Sequence, residues 1–366
     1  MSISVICIYN IQNIVYSLDS RRMGSRPRAI EEVYVMTNRE RVIAALEFSR
    51  PDRTPYDVSF TGQMYKKMVD YTGRSDFGRD INGHISSVYL IKPERPLGNE
   101  RFMDEFGVVW NKSGADKDIG VIDGLVLPSP EALSGFELPP VDEDYIRARM
   151  DDLMRESGDN FRIAAIGFSL FERAWTLCGM ENLLCYMLTD PGFVHELMGR
   201  ICERNLRIID IALEYDIDCF HFGDDWGQQR GLIMGPRCWR EFILPYLSRM
   251  YARVHAAGKY VSQHSCGDIR EVMDDVIDAG LNMYNTYQPE IYTRDYARGL
   301  HGRLTIWGGI STQVELPCKT PEEIYEITRD WMSRFPDGGL VCAPTHAIPG
   351  DVPPENVLAM LRAMEE

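Results

Sequence analysis

From about residue 54 onward the chain alternates two hydrophobic rhythms. Short runs rich in β-branched and aromatic residues recur at Thr54–Phe60, Phe161–Phe168, Ile217–Gly223, Lys259–Ser265, Leu281–Thr286, Arg303–Gly308 and Gly338–Ala343, and each predicts a strand. Between them lie longer stretches with apolar residues at three- and four-residue spacing, predicting helices over Trp239–Ala257, Ile269–Ala279 and Pro321–Phe335. Two starts carry a Thr-x-x-Glu capping box: Thr37 with Glu40, and Thr320 with Glu323, the latter followed at once by Pro321. Asp337-Gly338-Gly339 ends the last of these helices before the next strand.

Strand and helix alternating over some three hundred residues predict parallel βαβ units. A doubly wound sheet and a closed barrel both satisfy that pattern. No Gly-x-Gly-x-x-Gly follows an early strand, and polar residues gather at the C-terminal ends of several strands. Both observations favour an α/β fold of the single (β/α)8 TIM-barrel type. Val108–Trp110 and Val121–Val126 read as a β-hairpin insertion near the barrel mouth. The catalytic domain is placed at 36–366.

Residues 1–35 differ from the rest. Their apolar start lacks a basic n-region and a cleavage site, arguing against a signal peptide. They read as a disordered or non-native extension ahead of a start at Met36. The chain of 366 residues carries 39 basic against 55 acidic residues, a formal charge of −16, which argues against nucleic acid or an anionic membrane as partner. No apolar run is long enough to span a bilayer. Nine cysteines show no tight framework, so a reducing cytoplasm fits best. Cys178, Cys185 and Cys202 read as small buried hydrophobes.

Candidate chemistry sits at the strand ends. His264-Ser265-Cys266-Gly267 places an imidazole and a thiol two residues apart, on one side of an extended segment. In a barrel the end of Gly338–Ala343 would bring Cys342 to the same face. His264, Cys266 and Cys342 then form a three-ligand zinc set with an open fourth position. Asp224 and Asp225 follow another strand, and Glu172 and His346 lie in further strand-end loops. These four are candidate catalytic groups, for proton transfer, for substrate contact or, in the case of the carboxylates, for completing the metal shell. Phe168, Trp175, Phe222, Trp226 and Tyr287 crowd the same ends and read as an apolar pocket for a small or flat substrate.

The chain resembles the uroporphyrinogen decarboxylase superfamily. The likeness runs from about 36 to 366, and is carried by the segment 37–47, Pro51-Asp52-Arg53-Thr54-Pro55, Asp224-Asp225-Trp226-Gly227, His264-Ser265-Cys266-Gly267-Asp268, Gly308-Gly309-Ile310-Ser311 and Pro353-Pro354-Glu355-Asn356. That superfamily is built on TIM barrels. Its true decarboxylases carry an early arginine-rich motif that binds substrate carboxylates, and the region from Ser59 to Arg74 has none. Its corrinoid-dependent methyltransferase branch carries His-x-Cys with a distant Cys as zinc ligands. The resemblance therefore implies a zinc methyltransferase moving a methyl group between a small methylated molecule or thiol and a separate corrinoid protein, for this chain has no cobalamin-binding signature. The aromatic residues tilt the expectation toward O-demethylation of a methoxylated compound. Two alternatives remain open: a metal-free decarboxylase of a smaller carboxylated substrate, and a barrel that binds a tetrapyrrole or corrinoid partner without chemistry.

Overall fold

A computed structural model describes residues 35–81, 83–114 and 120–366. The expected extension, residues 1–34 of it, lies outside that range. Seven parallel strands form one curled sheet: β1 (Ile85–Tyr89), β2 (Phe161–Ile166), β3 (Cys219–Gly223), β4 (Tyr260–His264), β5 (Met283–Tyr287), β6 (Thr305–Ile310) and β7 (Leu340–Pro344), paired in that order. All but the first are buried almost throughout, as parallel strands covered on both faces must be. The architecture is TIM-barrel-like.

The stretch predicted as a strand at Thr54–Phe60 contributes only bridges, Tyr56 to Cys342 and Phe60 to Ile348. It nevertheless spans the two sheet edges. Asp57 N–H donates to Cys342 O at 3.1 Å and Cys342 N–H to Pro55 O at 2.9 Å, while His84 N–H donates to Tyr56 O at 2.9 Å. The ladder stops short because the Tyr56 N–H is taken by a side chain, His84 Nδ1, at 2.9 Å. His84 is fully buried; burial, then the charges of Arg53 and Arg41, push its pKa down to about 3.

That depression has a sign. The unfolded chain binds this proton near the ordinary histidine value of about 6.5, so the stability due to neutral His84 is complete above that pH and is lost as pH falls toward 3. Urea unfolding at pH 7 and pH 5 should show a loss on the order of 1–2 kcal/mol from this group. His84→Asn, which keeps an acceptor for Tyr56, should remove that part of the slope.

Period-two alternation divides the side chains into two layers. Phe161, Ile163, Cys219, Met283, Trp307, Val341 and Ala343 form an inner cluster with Val42 and Leu46. Val42 and Leu46 come from the helix Asn38–Leu46, whose Thr37 capping box is formed as the sequence predicts. This helix sits across the N-terminal ends of the strands, where Ala45 O accepts from Gly339 N and Thr305 Oγ1. The inner core thus fills from that end, and open volume remains at the other.

β1 escapes the hydrophobic pattern because its sequence, Ile-Ser-Ser-Val-Tyr, is half polar. Ser87 faces the open volume, and Ser86 accepts from Asn160 Nδ2 on the outer side at 3.1 Å. The helix predicted over Trp239–Ala257 is two helices, Gly235–Phe242 and Leu244–Ala256; Pro245 lacks the N–H needed to continue the first. Ile269–Ala279 resolves into a 3₁₀ turn, Arg270–Val272, and the helix Met273–Asp278. Of the cysteines read as buried, Cys178 and Cys202 are so, but Cys185 is exposed.

Between β1 and β2 a four-stranded antiparallel sheet runs Arg95–Gly98, Arg101–Met103, Val109–Asn111 and Val121–Ile122. The last two pair antiparallel and overlap the segments Val108–Trp110 and Val121–Val126; residues 115–119 between them lie outside the described residues. Trp110 lies 6.0 Å from Phe168 and 6.3 Å from Trp175, centroid to centroid. Nearby, Arg173 pairs with Asp104 at 2.6 Å and stacks 3.8 Å over Phe106. These contacts dock the small sheet on the helix Phe171–Cys178 that follows β2.

Candidate functional site

β4 ends at His264, whose side chain points inward in phase with Ser262. Cys266 follows in the loop, and its Sγ lies 3.4 Å from His264 Nε2. The loop is shaped by a close approach of two glycines. Gly267 adopts φ +79°, and a Cβ there would lie 2.3 Å from the backbone carbon of Gly227, so no side chain fits. The segment Asp224–Gly227 after β3 therefore nests directly on the His264–Asp268 loop. Cys266 N–H donates to Asp225 Oδ1 at 2.7 Å and Trp226 N–H to Ser265 Oγ at 2.9 Å.

The third group to arrive is His346, from the loop after β7. Its Nε2 lies 3.2 Å from Cys266 Sγ. Ligand atoms of His264, Cys266 and His346 all fall within 4.8 Å of one another. Cys342, the residue expected here, is not in this cluster. Val341 and Ala343 belong to the inner layer, so Cys342 must face outward; it is completely buried in the helix-side core, where desolvation pushes its thiol up to about 12.

The donor set suits zinc. Tetrahedral zinc with one sulfur and one nitrogen ligand requires a separation of about 3.5 Å between them, close to both Cys–His distances. His264 Nδ1 is 2.6 Å from Asn285 Oδ1; since that oxygen only accepts, the proton sits on Nδ1 and the Nε2 lone pair faces the cluster. Asn285 is held in turn by donating to Trp307 O at 3.2 Å. Burial, then the neighbouring His264, push His346 down to about 4, leaving a neutral imidazole. Asp225 Oδ1 is 3.5 Å from His264 Nε2, beside the three ligand atoms, and is the acceptor of the Cys266 N–H.

Electrostatics points the same way. Burial, followed by the carboxylate of Asp225, raises the Cys266 thiol well above its ordinary value. Glu172 is raised by burial and then by Asp225 and Asp224. Groups that carry negative charge when ionised converge here with no Lys or Arg in the described cluster, a spot that a cation would relieve.

The two adjacent aspartates divide their work. Asp224 is fully buried and accepts from Leu170 N at 3.2 Å, Phe171 N at 2.9 Å, Glu172 N at 2.8 Å and Trp226 Nε1 at 2.7 Å. It is the anchor of the helix Phe171–Cys178, with no oxygen left for substrate. Burial pushes its carboxyl up to about 6 against the pull of those four donors. Of the pair, only Asp225 reaches the cluster.

The expected aromatic pocket is mostly core. Phe222 faces outward against Tyr251, Trp226 packs on Trp239, and Tyr287 packs on Tyr292 and Trp331; all three are buried. Phe168 and Trp175 are half-buried beside Trp110 and do not line the cavity. The cavity itself, about 540 Å³, opens beside the cluster and is lined by His264 and His346 together with Asp57, Ser87, Tyr89, His221, Asn285 and Trp307. His221 Nδ1 is 2.7 Å from Ser262 Oγ, and burial, then the neighbouring His264, push it down to about 3. Hydrophobic patterning passes over these residues because they are polar groups inside strands and strand-like segments. Stepping by twos from His264 to Ser262, and across to the same layer of β3, would have found His221.

Residues 115–366 match the family model described as uroporphyrinogen decarboxylase (URO-D). A uroporphyrinogen decarboxylase of Chlorobaculum tepidum is 24% identical over 261 residues, covering 67% of this chain and 68% of its own. The one from Chlorobaculum parvum is 26% identical over 263 residues, with the same coverage. Among solved structures, a methyltransferase from Methanosarcina mazei superposes with a TM-score of 0.66 at 16% identity, over 90% of this chain and 98% of that one. That likeness is one of fold.

Proposed function

The chain belongs to the uroporphyrinogen decarboxylase family, and within it we propose that it is a zinc-dependent methyltransferase, working with a corrinoid carried by a separate protein. The observation that carries this reading is the convergence of His264, Cys266 and His346 on one point at the barrel's open end. The shared fold with the Methanosarcina methyltransferase supports it. So does the cavity: among the described residues no Lys or Arg lines it, whereas a tetrapyrrole bearing many carboxylates would call for several. A decarboxylase reading, suggested by the named relatives, lacks that cationic surface.

Zinc at this point would hold a thiol as its thiolate on the accepting side of the transfer, or act as a Lewis acid toward a heteroatom that keeps a free lone pair. The chain's own residues do the rest. Asn285 fixes the tautomer of His264, and Asp225 positions Cys266 through its N–H. Burial and the neighbouring carboxylates of Asp225 and Asp224 hold Glu172 toward its protonated form beside the cluster. The walled cavity limits water around the transferred group. The direction of transfer follows from which partner is methylated first.

Purified protein should contain one zinc per chain by elemental analysis, and Cys266→Ala should retain less than about a tenth of it. Equal zinc in both proteins would sink the assignment.

A further inference from the structure

The cavity holds one carboxyl group that the metal cluster does not use. We propose that Asp57 is the substrate-recognition residue of this cavity and selects a small organic cation, a methylated amine in protonated or quaternary form. The proposal rests on reading the cavity as the substrate chamber, but it engages different side chains from the metal ligands.

Asp57 is fixed by its backbone. Its own N–H is bonded to β7, and the preceding residue, Tyr56, is bonded to His84 at the start of β1. Its half-buried carboxyl group lines the cavity. The Trp307 side chain and the backbone N–H of Val58 lie beside it and favour its charged form. A carboxylate offers about four acceptor positions, so capacity is left for a ligand. The polar side chains around it, among them His221, Asn285 and Ser87, are neutral, and no Lys or Arg is among the described lining residues. A partly desolvated carboxylate with no cation beside it is unfavourable, and burial accordingly pushes Asp57 up to about 6.

A ligand cation supplies the missing charge. The rings of Trp307 and Tyr89 line the same space, and aromatic rings attract an alkylammonium group. A neutral ether would gain a polar contact at most, and an anion would be repelled. At about 540 Å³ the cavity suits a small molecule rather than a macrocycle.

The test is calorimetric titration of the full chain, after chelator treatment and again with zinc restored, using tetramethylammonium and its uncharged counterpart of similar size, tert-butanol. Tetramethylammonium should bind at least about tenfold tighter than the alcohol, a difference of about 1.4 kcal/mol. Asp57→Asn should erase that preference, and Asp57→Glu should keep part of it. If Asp57→Asn does not fold, Trp307→Phe, which keeps a ring but loses the indole N–H, should weaken cation binding several-fold. Equal affinity for the two probes, absence of cation binding, or cation binding unchanged by these substitutions would overturn the proposal. Because the cation preference is read without zinc as well, a failed metal assignment leaves this outcome distinguishable.

Discussion

His346→Ala should lose stoichiometric zinc and at least about a hundredfold in methyl transfer to or from a corrinoid protein, while Cys342→Ala should keep both. The contrast separates two candidate ligand sets. His346 Nε2 stands 3.2 Å from Cys266 Sγ, and nothing else in the cluster takes its place if it is removed. Cys342 points into the helix-side core, where truncation to alanine costs about 1–2 kcal/mol of stability without touching the site. Zinc content by elemental analysis and unfolding midpoints in urea read the two effects independently. If Cys342→Ala lost the metal and His346→Ala kept it, the side-chain directions given for β7 would be wrong.

The largest stability effect should come from Asp224. Its two oxygens satisfy three backbone N–H groups at the start of the helix Phe171–Cys178 and the indole of Trp226. Asp224→Ala would strand all four donors in a dry interior. An unsatisfied buried donor costs about 1–3 kcal/mol, and since such losses do not add fully, a total of about 3–5 kcal/mol is expected. Asp224→Asn should cost less, keeping one acceptor oxygen. Asp225→Asn should cost only about 1 kcal/mol, because Asp225 is partly exposed and bonded chiefly to one N–H, yet it should alter metal affinity. Urea unfolding of the three variants gives the order, and a milder effect for Asp224→Ala than for Asp225→Asn would refute this division of roles.

Much of the architecture was legible along the chain. Six of the seven parallel strands announced themselves as short runs rich in β-branched and aromatic residues, which suit a strand covered on both faces. The capping boxes at Thr37 and Thr320 marked helix starts correctly, since they are satisfied within four residues of sequence. β1 was missed for the converse reason: it faces the cavity, so its pattern is polar. The His264–Cys266 pair was legible too, since a two-residue spacing in extended chain leaves little freedom.

What the amino-acid order determined by itself, then, is the succession of strands and helices and the pairing of His264 with Cys266, both set by local geometry. Which distant residue joins that pair was decided by tertiary structure. Cys342 and His346 are four residues apart, and the choice between them turns on the phase of β7 about the barrel and on the path of its loop. Both are consequences of register with β6 and the 55–57 segment, and no local pattern encodes them. The same holds for the aromatic residues at the strand ends: whether a ring meets solvent, substrate or core depends on one residue of phase. It also holds for Asp57, whose carboxyl group faces the cavity because Tyr56 and Asp57 are tied between two strands that lie 28 and 285 residues further along the chain.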